Sequence, residues 1–186
     1  MEEYDSVRFP KAAQLLRDTA RAEEWRNFAR LEKILYQNLA FDTDAPTSFL
    51  VANLLHAVVG SSKQQVHLAN FLLELALLDW TVSSTIRPSV VAFAAVVISH
   101  AIAHEEPGGK SLSSTESHAL AHATLSAFTA IDVSEALELE GKLIEMFENA
   151  PTDSSSVYDV YCRESELYVA FFEVPCSLAT MISAQA

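Results

Sequence analysis

From Val90 to Ile98 the chain runs through nine consecutive residues without a polar side chain, preceded by Arg87-Pro88 and followed by His100. A run of that kind belongs inside a protein, yet it is too short to cross a bilayer, so other elements must wrap it. Pro88 suits the first turn of a helix, where its missing amide is no loss, and the spacing predicts a helix from there to about His104. A helix with almost no charged face is central. The fold must therefore be a ring of elements around it.

Those elements are helices. Only four glycines interrupt 186 residues, and Ala and Leu are abundant, which favours an all-α chain over a Gly-rich β-sandwich. Thr47 caps a helix to about Val59, ended by Gly60. Ser62-Lys63-Gln64-Gln65 is a capping box opening a helix to about Trp80; it is apolar nearly all round, with a polar stripe of Gln64, His67, Asn70 and Glu74. Ser113-Ser114-Thr115-Glu116 opens another to about Phe128, after a linker ending at Gly108-Gly109. A third box at Asp132 to Glu135 opens one to about Asn149, stopped by Pro151. On this last helix Glu135, Glu138, Glu140, Lys142 and Glu145 are expected outside Leu139, Leu143, Ile144 and Phe147. These five helices make a compact bundle. Beyond it the sequence predicts a short helix around Tyr158 and an extended apolar segment from Leu167 to Val174.

Ahead of the bundle, Pro10 opens a short helical segment within residues 1–18. From Thr19 to Asn38, Trp25, Phe28, Leu31, Leu35 and Leu39 follow three- and four-residue steps on one helix face. The segment from Asp42 to Thr47 breaks that helix, because Pro46 disfavours the helical region for Ala45.

In order along the chain, Arg30-Leu31-Glu32-Lys33-Ile34-Leu35, Leu39-Ala40-Phe41-Asp42 and Ala45-Pro46-Thr47-Ser48-Phe49-Leu50 resemble the last helix of a cyclin's first box and the bridge into its second. Leu68-Ala69-Asn70-Phe71-Leu72-Leu73-Glu74-Leu75 with Leu77-Leu78-Asp79 is similar to the second box's second helix, and Arg87-Pro88-Ser89-Val90-Val91-Ala92-Phe93-Ala94-Ala95 to its central third. Asn149-Ala150-Pro151 and Tyr168 to Pro175 resemble the closing segment. The resemblance to the cyclin family, of the mitotic A/B type, covers nearly the whole sequence. It implies a five-helix cyclin box over residues 46–150, preceded by the end of a first box over 1–45 and followed by an extension over 151–186. Met1-Glu2-Glu3-Tyr4 matches the family pattern just after a first-box lysine, which leaves the first three helices of that box outside this sequence.

The resemblance implies a non-enzymatic regulatory subunit that binds and activates a cyclin-dependent protein kinase in cell division, in nucleus and cytoplasm. It carries Glu32 onto a family glutamate that contacts the kinase, and Glu2 and Glu3 onto a pair of family glutamates nearby. Glu32 lies four residues after Phe28 and three before Leu35, beside the apolar stripe, where a charge is costly unless paired. Glu32, Phe28, Leu35, Glu2 and Glu3 are thus the expected partner-binding residues. The alternative for Glu32 is a solvated carboxylate beside Lys33 or Arg30. If the stripe of Trp25, Phe28, Leu31 and Leu35 lacks its covering helices, it requires a partner or a second copy, unless residues 1–18 fold back over it.

Charge narrows the partners. The net charge is −13; residues 1–45 carry seven Lys/Arg against nine Asp/Glu, and residues 46–186 five against sixteen. Such a surface repels phosphate backbones and anionic lipid, so neither nucleic acid nor membrane is expected, and a basic-surfaced, transcription-factor-like cyclin fold is disfavoured. The acidic N-terminus lacks the basic and apolar regions of a signal peptide. Two cysteines, Cys162 and Cys176, form no zinc or disulfide pattern.

His100/His104 and His118/His122 each stand at the i, i+4 spacing that puts two imidazoles on one helix face, and two such pairs could together supply four nitrogens to zinc. That is the alternative function, a histidine-pair metal-binding helical protein. Against it, no Cys or Asp/Glu motif accompanies the pairs, and His-Ala-Ile-Ala-His lacks the glutamate of a metalloprotease helix. The competing reading is hydrogen-bonded core or edge histidines. No phosphate-cradling loop or nucleophile elbow is present, so no catalytic residue, cofactor or metal is expected, and Glu74 and Asp79 should cap or pair.

Overall fold

The computed structural model describes residues 25–38, 45–103, 113–129, 131 and 133–185. The chain divides into two compact units, Met1–Ala45 and Pro46–Ala186. In the first, α1 spans Trp25–Asn38. Every regular element of the described residues is helical, and none of the helices is long and apolar enough to cross a membrane. Residues 1–24, the Gly108-Gly109 linker and Asp132 of the third capping box lie outside the described residues.

In the second unit, local sequence signals set most helix ends. Thr47 caps α2 (Ser48–Val59) by accepting a bond from the Leu50 amide, and Gly60 ends it in the left-handed region, at φ 71°, with its amide on the His56 carbonyl. The reciprocal Ser62/Gln65 box opens α3 (Lys63–Leu78), and the Ser113/Glu116 box opens α6 (Ser114–Phe128). Between them α5 (Pro88–Ile102) begins with its proline in the first turn. From Val90 to Ile98 no residue is more than 5% exposed. This central helix packs against α2, α3, α6 and α7 (Val133–Asp153), the ring the apolar run required.

Four local expectations need correction. The helix from Lys63 stops at Leu78, because Asp79 leaves the helical region and caps a separate short helix, α4 (Trp80–Thr85), accepting from the Val82 amide at 2.9 Å. Pro151 does not stop α7. Proline removes one amide bond from the last turn, but Phe147 and Ala150 are held in the core and the Ser154 amide returns to the Ala150 carbonyl at 3.0 Å, so packing keeps the helix running to Asp153. Glu140, expected on the solvated face, is fully buried. It stands four residues after Ala136 and four before Ile144, both core positions, and shares their face.

The segment from Leu167 to Val174 is not extended throughout. Leu167 and Tyr168 are left-handed, a 3-10 turn covers Val169–Phe171, and extended backbone resumes at Phe172. Beyond it an unforeseen helix, α9 (Cys176–Gln185), packs against α6 and α7 and buries Leu178 and Ile182. The expected helix around Tyr158 is α8 (Ser155–Tyr161). Residues 155–171 fasten onto the polar stripe of α3: His67 Nδ1 lies 2.7 Å from Glu166 Oε2, and Tyr161 donates to Glu74 Oε1 at 2.8 Å. Between these polar ties, Phe71 stacks on Tyr161 with ring centroids 4.8 Å apart. The polar stripe of this helix is a seam, with His67 and Glu74 paired across it.

Candidate partner-binding surface

On α1 the side chains of Leu31, Ile34 and Leu35, spaced three and four residues apart, are exposed, Leu31 at 64% and Leu35 at 58%. Apolar side chains at that spacing form one stripe of a helix, and a stripe this open suits association rather than a finished core. Leu35 is thus accessible to a partner. The side chains of Phe28 and Glu32, and residues Glu2 and Glu3, lie outside the described residues.

A second apolar face was not foreseen. Along α2, Leu50, Leu54 and Val58 follow four-residue steps beside Phe49, and all four are exposed, while Ala52, Leu55 and His56 turn inward. Because α2 carries apolar residues all round, its sequence reads as a buried helix. Nothing local marks which side faces water.

Of the histidines that looked like metal ligands, His100 and His118 are hydrogen-bonded within the bundle. Ser61 Oγ sits 2.7 Å from both His56 Nδ1 and His100 Nε2, tying the end of α2 to α5. A hydroxyl has one proton, so it donates to one ring and accepts from the other. His118 Nε2 meets Glu140 Oε2 at 2.7 Å, with both side chains buried, linking α6 to α7. His122 lies 5.9 Å from His118 between ring centroids and edge-on to Phe93. Among the described residues no three His, Cys, Asp or Glu side chains are grouped to hold a metal, so the structure lends the histidine-pair metal reading no support. His104 lies outside those residues. Asp79, besides its cap, pairs with Lys142 at 2.8 Å, and both effects hold its carboxyl below the usual range. Glu74 and Asp79 therefore pair and cap, as expected of them.

Burying neutral imidazoles makes stability depend on pH. Burial, then the charge of His100, pushes His56 down to about 4. Burial also lowers His100, and it lowers His122 against the raising effect of Glu140. Each of these rings titrates below its unfolded value near 6.5, so as pH falls the unfolded chain binds protons first. Stability is full above that pH and declines as pH drops toward about 4. At about 1.4 kcal/mol per unit of displacement, His56 contributes on the order of 3 kcal/mol to the decline. Urea titrations at pH 7.5 and 4.5 should show that loss, and His56→Phe should flatten it. Identical midpoints at the two pH values would contradict the assignment.

Residues 45–175 match the family described as "Cyclin, C-terminal domain". The chain belongs to that family. The match covers the whole five-helix bundle, from the bridge before Thr47 to the segment that closes on α3, so the cyclin C-terminal domain includes α8 and the 3-10 turns as well as the ring around α5. No curated protein matches the chain. In cyclin terms the bundle is the all-helical cyclin-box fold, and α1 lies ahead of the matched region.

Proposed function

We propose that this chain is a cyclin-type regulatory subunit, of the mitotic kind, that binds a cyclin-dependent protein kinase and favours its active conformation through contacts. It acts in cell-division control, in nucleus and cytoplasm, and performs no chemistry of its own. The observation that carries this reading is the match of residues 45–175 to the cyclin C-terminal domain. The exposed stripe of Leu31, Ile34 and Leu35 supports it, offering a preformed helix face for a partner. Activation by contact requires a stronger interaction with the kinase's active state than with its inactive one.

Glu32, with Phe28 and Leu35 on the same helix and Glu2 and Glu3 upstream, is the proposed kinase contact. A desolvated carboxylate that accepts a charge-assisted hydrogen bond leaves its partner unpaired when truncated, so Glu32→Ala should weaken kinase binding by about 2–5 kcal/mol. Glu138 is exposed on α7; Glu138→Lys should change affinity by less than about 0.5 kcal/mol, since rim charges mainly tune association rate. Calorimetric titration of the three proteins against cyclin-dependent kinases checks this. Equal affinities for wild type and Glu32→Ala would remove Glu32 from the interface.

A further inference from the structure

At the outer side of the segment that closes on α3, three aromatic rings lie together. Phe171 is edge-on to Tyr158 at 6.3 Å between centroids and tilted over Tyr168 at 6.4 Å. Phe171 is 59% exposed and Tyr168 49%. Their backbone is unusual: Leu167 and Tyr168 are consecutive left-handed residues, at φ 57° and 56°, a conformation that bulky L-residues rarely adopt. The turn sends Leu167 against the core and leaves Tyr168 in solvent. Strained backbone persists only where its surroundings over-determine it, and it concentrates at functional positions. Here the surroundings are the ties from Glu166 to His67 and from Tyr161 to Glu74, which make the cluster a rigid platform.

The platform is set in negative charge. Residues 155–175 carry Asp159, Glu164, Glu166 and Glu173 against Arg163 alone. The Tyr158 hydroxyl is held above the usual phenol range by burial first, then by Cys162 and the charge of Asp159. A second copy of this chain would bring the same excess of acid, and its repulsion, to the contact. Exposed rings in a segment with this excess of acid suit a cation, and a planar guanidinium stacks on rings where an ammonium remains hydrated. We propose that Tyr158, Tyr168 and Phe171 form a docking site for an arginine-bearing segment of a partner protein, with guanidinium on the exposed rings and the flanking carboxylates balancing its charge. The site is independent of the kinase reading.

The probe is a fluorescent octapeptide of alternating arginine and glycine, with its lysine counterpart, titrated against the full chain by anisotropy. The arginine peptide should bind and shift the ring resonances of Tyr168 and Phe171, and the lysine peptide should bind several-fold more weakly. Tyr168→Asn with Phe171→Ala removes both exposed rings, and asparagine tolerates the left-handed backbone; this variant should bind at least tenfold more weakly with an unchanged circular dichroism spectrum. Wild-type affinity in that variant, equal affinity for the two peptides, or ring resonances that stay put on titration would overturn the site and assign any attraction to net charge.

Discussion

Glu140→Ala is expected to lower the unfolding free energy by about 3–5 kcal/mol, the cost typical of removing one member of a buried polar pair. The substitution leaves His118 Nε2 without its 2.7 Å partner at a site closed to water, and it opens a void between α6 and α7. Glu140 also has one buried oxygen, Oε1, that no group among the described residues hydrogen-bonds, so the pair is imperfectly satisfied there. A double replacement, His118→Leu with Glu140→Leu, should therefore recover most of the loss, because packed apolar side chains often match or exceed such a pair. Urea unfolding at pH 7.5 measures both. A cost below about 1 kcal/mol for Glu140→Ala would mean that the carboxyl reaches water, against its burial.

Phe71→Ala should cost about 3–5 kcal/mol and loosen a particular part of the molecule. Phe71 is fully buried, stacked on Tyr161 and edge-on to Phe147 at 5.5 Å, so it holds α3 to both α7 and α8. Its loss removes the apolar half of the seam and leaves the polar ties to carry residues 155–171. Limited proteolysis should then cut within that segment well before the bundle. Tyr161→Phe keeps the stack and loses only the bond to Glu74, at about 1 kcal/mol. Equal protease resistance in Phe71→Ala and wild type would show that the segment is held by something other than this seam.

Where the physics is local, the sequence was sufficient. Thr47, Gly60, Ser62 with Gln65, Ser113 with Glu116, and Pro88 act within a turn of their own position, and the structure starts or ends helices at each. The burial of Val90 to Ile98 was legible because a run without polar atoms has one outcome. What long-range packing decides was not legible. Glu140 looked like one of several solvated carboxylates, although its spacing from Ala136 and Ile144 marked it as a core position; its partner His118 is 22 residues away. His100, which the i, i+4 spacing set beside His104, bonds Ser61, 39 residues away. The outward side of α2 and the continuation of α7 through Pro151 follow from neighbours that no local pattern names. Of the proposed kinase contacts, Leu35 is accessible on α1, while Glu2, Glu3 and the side chains of Phe28 and Glu32 lie outside the described residues.

The central claim is that a chain with this domain works by holding a kinase. Titration calorimetry of the purified chain into a panel of cyclin-dependent kinases, with circular dichroism confirming the helical fold in each sample, tests it most directly. Saturable one-to-one binding to at least one of them, with a several-fold rise in that kinase's activity, is the expected result. A folded chain that binds none of them would contradict it.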